Sequence, residues 1–328
     1  MLRFHINEKD YKITFEHENY LKLNPFQGQS LVTNQNHLPL YDKKILESNK
    51  FCEPILKKYS KVIIKNEIDN GHRVSIERPT FLSCHTSSYH HFLIDTIGAI
   101  LFLKSNNCNN FNIKTIVQRV AKKSWEEYRE SHIKKFHQEV FSYLNLGNYE
   151  DSFILFENQD QLVFDNIVTV NYPSAPLDSF YPVINNIRNY FLKNREVVPD
   201  KKIYIGRKNI LDVNNSRHIV DEEILQDYLK SHGYETVFFE DLSFVEQIDI
   251  VSRSSHIITH NGSSMVNTLF SQNNTQIVEI RNSVLQQHDA YMFWSEWFNK
   301  KHYIVKCFGS NSSKEIIDAI EFDDQIIL

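Results

Sequence analysis

The sequence predicts an α/β protein. Three observations carry the prediction. Strand-like and helix-like segments alternate from about residue 184 to residue 280. The spacing suits parallel strands joined by helical crossovers. The chain has only 8 Gly in 328 residues, and Gly206, Gly233 and Gly262 fall at junctions between these segments.

The first 60 or so residues are polar and weakly periodic. Val62-Ile63-Ile64 and Val74-Ser75-Ile76 read as short strands. His91 to Leu103 reads as a mostly apolar helix behind a Ser-rich turn. Lys114 to Gln118 follows as a strand. Lys122 to Leu144 reads as one long amphipathic helix, with Ile133, Phe136, Val140 and Leu144 on one face. Phe153 to Phe156 and Gln161 to Val170 read as strands. Tyr172 to Pro182 holds three prolines and no strong period, which predicts an interdomain crossing. The expected domains are therefore 1–180 and 181–328.

Ile184, Ile187 and Phe191 mark the first helix of the second half. Lys202 to Ile205 is a strand ending in Gly206-Arg207-Lys208. Asp221 to His232 is a helix with Ile224, Leu225, Tyr228 and Leu229 inward, stopped by Gly233. Thr236 to Phe239 is a strand, and Ser243-Phe244-Val245-Glu246 is a capping box that opens a helix. His256 to Thr259 is a strand, followed by a turn and a short helix to Phe270. Gln276 to Ile280 is the last strand of the series. The aromatic cluster Tyr291, Phe293, Trp294, Trp297 and Phe298 reads as core.

Composition excludes several classes of function. The chain is 41% hydrophobic and 23% charged, which suits a folded core rather than disorder. Its formal charge of −5 leaves no basic footprint for nucleic acid. No apolar run reaches the roughly 18 residues of a membrane span, and the N-terminus lacks a charged-then-apolar signal pattern. Four cysteines lie far apart with no Cys-x-x-Cys, so reduced thiols in a cytoplasmic protein are expected rather than a disulfide framework or zinc site.

Four places carry candidate chemistry. His260-Asn261-Gly262-Ser263-Ser264 lies at a strand-to-helix junction, where backbone N–H groups offer themselves to an anion such as a diphosphate. Alone it also reads as an ordinary link. Arg207 and Lys208 end a strand of the same sheet, and Arg clamps phosphate oxygens bidentately. Alone they read as a solvated basic loop. Glu240-Asp241 precedes a helix and suits either a ribose or the helix macrodipole. His91 and Asp95 are four apart on one helix face, the spacing of a general base and its orienting acid; alone, His90-His91 reads equally as a packed helix start, and a metal pair would lack a third ligand nearby. There is no Asp-x-Asp in the chain to hold a metal on a nucleotide diphosphate.

Taken together, these segments resemble glycosyltransferase family 61. The counterparts of its C-terminal signature are Ile205-Gly206-Arg207, Arg217 with Asp221-Glu222, and Leu242-Ser243-Phe244 with Gln247. Next come Asn261-Gly262-Ser263-Ser264 with Asn267, Leu269 and Phe270, and then Val278-Glu279-Ile280. Tyr89-His90-His91-Phe92 with Asp95 is similar to the family's N-terminal segment. Three departures stand out. The family's turn His is Asn261, with His260 one place earlier. Asp221 replaces an Asn. Ala99 lies near the place of a missing Arg.

The resemblance implies a GT-B fold, with two Rossmann-like domains facing a cleft. It implies inverting, metal-independent transfer from a nucleoside diphosphate sugar, UDP by expectation, to a glycan hydroxyl. Residues 181–328 would bind the donor through Arg207, Lys208, Glu240, Ser243, Gln247, His260, Asn261, Gly262, Ser263, Ser264 and Asn267. Residues 1–180 would bind the acceptor, with Asp95 or His91 as the base. No metal or cofactor is expected. A cytoplasmic enzyme working at the inner face of a membrane, on lipid-linked glycan for capsule or O-antigen, is the expected setting. A polysaccharide pyruvyltransferase and a non-catalytic glycan- or nucleotide-binding relative are the alternatives.

Overall fold

Most of the alternation read from the sequence appears as strands and helices in the computed structural model. It describes residues 3–7, 11–14, 72–74, 80–84, 87–107, 109–118, 125–156, 161–164, 167–171, 181–193, 195, 197–208, 219–282, 290–307 and 312–322. The strand expected at Val62-Ile63-Ile64, the crossing over 172–180, and Arg217 lie outside these residues. The chain divides into two units, Met1–Ile187 and Arg188–Leu328.

The first unit holds β1 (Arg3–Asn7), β2 (Tyr11–Thr14), β3 (His72–Val74) and β4 (Thr80–Cys84). A continuous helical run follows: α1 (Tyr89–His91), a π-helical turn (Phe92–Ile97) and α2 (Gly98–Ser105). Next come β5 (Asn112–Gln118), α3 (Trp125–His132), α4 (Lys135–Tyr143), β6 (Phe153–Phe156), β7 (Gln161–Phe164) and β8 (Ile167–Asn171). One sheet runs β1-β8-β4-β5-β6; β8, β4, β5 and β6 are parallel and β1 is antiparallel to β8. A smaller sheet runs β2-β7-β3.

Two expectations for this unit are corrected. The single helix over Lys122 to Leu144 is two helices, because Lys134 takes extended backbone (φ −99°, ψ 154°). The Lys134 N–H donates to His137 Nδ1 at 3.0 Å, which caps the second helix. The strand over Gln161 to Val170 is likewise β7 and β8, which belong to different sheets. The expected inward face of α4 is kept at Val140 and Leu144, both buried. Phe92 packs against Phe141, Tyr149 and His137, so this face seats the helical run.

Helix α5 (Tyr181–Leu192) buries Val183, Ile184, Ile187 and Phe191. The division between the units falls inside it. The second unit continues with β9 (Lys201–Gly206), α6 (Glu222–Ser231), β10 (Glu235–Phe238), α7 (Phe244–Ser252) and β11 (Ser254–His260). A 3₁₀ helix (Ser263–Phe270), β12 (Gln276–Asn282), α8 (Ala290–Trp297), β13 (Lys301–Cys307) and α9 (Ser313–Phe322) complete it.

Its sheet is wholly parallel, in the order β10-β9-β11-β12-β13. The central strands β9, β11 and β12 bury apolar residues at their middles, Ile203 to Ile205, Ile257-Ile258 and Ile277-Val278, as strands covered on both faces do. On one face Leu225 and Leu229 of α6 and Ile316 and Ile320 of α9 pack with Tyr204, Ile258, Val278 and Val305. Elsewhere in the unit the rings of Phe191, Phe244 and Phe270 meet edge to face. One expectation fails on this helix: Ile224 is 56% exposed. Leu225 and Leu229 already fill the α6 stripe, four residues apart. Of the C-terminal aromatic cluster, Tyr291, Trp294 and Phe298 are buried, while Phe293 is exposed.

Candidate active site

The helical run of the first unit presents His91 and Asp95. His91 Nδ1 lies 3.0 Å from Asp95 Oδ2. Asp95 sits in the π-helical turn, whose six side chains are all buried. Such widened turns inside α-helices recur at functional sites. The two partners differ in access. The His91 side chain is 19% exposed and that of Asp95 6%. Burial pushes the Asp95 carboxyl above its ordinary range, and the bond and charge of His91 only partly offset this. Among the described residues its second oxygen, Oδ1, is buried without a partner. Asp95 therefore reaches outward through the imidazole, and His91 presents the exposed end of the pair.

The second unit places its candidates along one sheet edge. In a parallel sheet all carboxyl ends share an edge. The order β10-β9-β11-β12-β13 reverses direction between β9 and β11, and ligands bind in the crevice at such a switch point. Arg207 and Lys208 follow β9, and Asn261 to Ser264 follow β11, so both loops border that reversal. Glu240 and Asp241 follow β10 on the same edge.

The chain end of β9 is tightly fitted. A Cβ on Gly206 would lie 2.9 Å from Phe238 Cε1 and 3.3 Å from Glu222 Oε1. Lys208 Nζ is 2.5 Å from Asp241 Oδ2 and 5.3 Å from the centre of the Phe238 ring. Both ionic groups are about half exposed, and exposed pairs of this kind hold little energy.

Beneath the crevice runs a buried polar chain. Tyr204 donates to Glu222 Oε1 at 2.7 Å. Its oxygen lies 3.0 Å from His260 Nε2. Since the phenol gives its single proton to the carboxylate, His260 Nε2 must be the donor to it. Burial, then the charge and hydrogen bond of Glu222, push the Tyr204 phenol far up, with the nearby Arg207 charge opposing.

The turn itself is anchored through Glu279. This carboxylate is fully buried and accepts four bonds. Oε1 receives Asn261 Nδ2 at 2.5 Å and Arg281 Nε at 2.7 Å; Oε2 receives Arg281 Nη2 at 3.0 Å and His302 Nε2 at 2.9 Å. Burial pushes its pKa up, but the hydrogen bonds from His302, Arg281 and Asn261 together leave it below the ordinary value. Tyr291 donates to the Gly262 carbonyl at 3.1 Å. Gly262 is extended (φ 161°), so the freedom of its backbone to turn left-handed is not used. Ser263 and Ser264 open the 3₁₀ helix and are half-buried.

Other sequence candidates serve the frame. Ser243 closes the capping box, taking the Glu246 N–H at 3.4 Å while its own N–H donates to Glu246 Oε2 at 2.7 Å. Gln247 donates to the Phe239 and Leu242 carbonyls and accepts from Asn267 Nδ2 at 3.0 Å. Both ends of its amide are thus engaged, tying α7 to the 3₁₀ helix. Glu240 is exposed on its loop.

Tyr204, Glu279, Arg281, Tyr291 and His302 escaped selection as site residues. Val278-Glu279-Ile280 reads as one more buried strand, and a charge inside it is the only local signal. Among the described residues, no three His, Cys, Asp or Glu side chains cluster so as to hold a metal ion. No described helix is long and apolar enough to cross a membrane.

No curated protein matches the chain. A family model described as glycosyltransferase 61 matches residues 89–278. The match opens on the helical turn that carries His91 and runs through the switch-point crevice into β12. It takes in more than half of the sequence, and the chain therefore belongs to glycosyltransferase family 61 and is a glycosyltransferase.

Proposed function

We propose that the chain moves a sugar from a nucleoside diphosphate, UDP, to a hydroxyl of a surface glycan. Transfer proceeds with inversion and without a bound metal. The observation that carries the donor half is the meeting of Arg207 and the Asn261–Ser264 turn at the reversal of a parallel sheet. Charge that develops on the leaving diphosphate falls to Arg207 and to the N–H groups that open the 3₁₀ helix. Lys208 joins them by exchanging its exposed partner Asp241 for phosphate. Ser243, Gln247 and Asn267 hold this edge in place from behind.

In this reading His91 is the base. Its Nδ1 is committed to Asp95, so Nε2 takes the proton of the attacking hydroxyl. Asp95 fixes the tautomer and steadies the imidazolium as it forms. The GT-B pairing of domains 1–180 and 181–328, a cytoplasmic setting and a lipid-linked acceptor belong to the same proposal. Family membership replaces the pyruvyltransferase and binding-module alternatives with a glycosyltransferase.

The test is donor hydrolysis and transfer across a panel of sugar nucleotides, with and without chelator. UDP-sugars should be turned over equally well in both conditions, and loss of activity with chelator would remove the metal-free step. Arg207→Ala should weaken UDP binding. His91→Ala should leave UDP binding intact and slow transfer by a factor of about 10² to 10⁴.

A further inference from the structure

Asn261 stands first after β11, at the sheet's reversal, and its backbone N–H still pairs with the Ile280 carbonyl at 2.9 Å. Its side-chain amide has one possible orientation. Glu279 Oε1, 2.5 Å away, is an ionised oxygen that only accepts. Turned over, the amide would set Oδ1 against Oε1, two acceptors in contact with no proton between them. The arrangement of Glu279 reinforces this. Arg281 and His302 supply three of its four bonds, and Asn261 Nδ2 supplies the last. Loss of that donor would leave a buried lone pair unmatched.

The outward end of Asn261 is therefore the carbonyl, Oδ1. Among the described residues no hydrogen bond reaches it, and the residue is half-buried rather than sealed in the core. A carbonyl oxygen repels phosphate oxygens and accepts from O–H groups. The two kinds of group around the crevice are thus divided: Arg207 and the turn N–H groups suit anions, and Asn261 Oδ1 suits a hydroxyl.

We infer that Asn261 is a specificity residue of the donor site that reads a hydroxyl of the sugar nucleotide, on the ribose or on the transferred sugar, and does not grip the diphosphate. The inference rests on the donor-site reading above.

Calorimetric titration of the full chain and of Asn261→Ala tests it. The probes are UDP, 2′-deoxy-UDP, 3′-deoxy-UDP, UDP-glucose and inorganic pyrophosphate. Asn261→Ala should lose about three- to tenfold in affinity for a probe that carries the hydroxyl. If the ribose supplies it, the loss appears with UDP and vanishes with the matching deoxy compound. If the transferred sugar supplies it, the loss appears with UDP-glucose and not with UDP. Pyrophosphate binding should be unchanged by the substitution. An equal loss with every probe, pyrophosphate included, would place the side chain on phosphate and overturn the inference, as would no loss with any. Failure of the unsubstituted chain to bind any of the nucleotides would bring down the donor-site reading and this inference together. The amide orientation has its own readout in the side-chain NH₂ resonances of Asn261. These should keep their hydrogen-bonded shift when UDP is added; transfer of the NH₂ group to the ligand would also overturn the inference.

Discussion

Asp95 combines a buried carboxyl, one partnered oxygen and one bare oxygen in a single side chain. Its folded pKa lies above the unfolded one, so folding favours the acid form. The stability linked to it is whole below the unfolded pKa and is lost as pH rises through the folded value. At neutral pH, above the unfolded value, Asp95 therefore costs stability. Asp95→Asn should raise the melting temperature at neutral pH, with the gain shrinking as pH falls below the carboxylate range. Transfer should slow in the same variant, a division of stability and activity that thermal scans and rate assays separate. Glu279 has the opposite sign. Its lowered pKa gives stability that is present above the unfolded value and lost as pH falls through the folded one. Glu279→Ala strands Arg281 and His302, both 4% exposed at the side chain, and should cost about 3–5 kcal/mol in urea unfolding. The His91–Asp95 pair was legible from its spacing. Glu279 was not, because its three partners come from the turn after β11, from β12 and from β13, and only the sheet register brings them together.

Elements with strong local signals follow the sequence closely. The α6 terminus is one. Gly233 takes φ +84°, and the bonds Gly233 N–H to Lys230 O and Tyr234 N–H to Leu229 O close the cap. The Ser243 capping box is another. Elements shaped by tertiary packing were not readable. Lys134 interrupts an amphipathic pattern that continues across it, because His137 turns back to bond the Lys134 N–H and to stack on Tyr149. The π-helical turn has no mark in sequence either. Its bond from Gly98 N–H to Leu93 O skips one residue more than an α-helix does. Gly98 also lies close to α5: an added Cβ would sit 2.7 Å from Val183 Cγ1 and 3.0 Å from Ile187 Cδ1. Gly98→Ala should therefore destabilise by about 1–3 kcal/mol in denaturant unfolding, despite the better helix propensity of Ala.

At the scale of the whole molecule, the strand order of the second unit decides where a ligand goes. Alternating segments predict a parallel sheet, but they do not say which strands are neighbours. Only the order β10-β9-β11-β12-β13 puts the loop after β9 beside the loop after β11. Hydrogen exchange offers a direct check. Addition of UDP should slow exchange at Arg207, Lys208 and Asn261 to Ser264, while the amino ends of the same strands, near Lys201 and Ser254, stay unchanged. Protection at the amino ends instead would put the nucleotide on the wrong edge. Bound nucleotide should also stabilise the fold, by about 2.7 kcal/mol at a concentration near 100 times Kd.

Gly206 connects these scales. Phe238 and Glu222 close in on the place where its side chain would be, and the same Phe238 ring lies beneath the Lys208 ammonium. A methyl group at 206 would push that ring, and the ring would carry Lys208 away from Asp241. The separation of Gly206 from the Phe238 ring is thus gauged by a single hydrogen atom. Along this edge the backbone of Gly206 acts as a spacer whose thinness is its function.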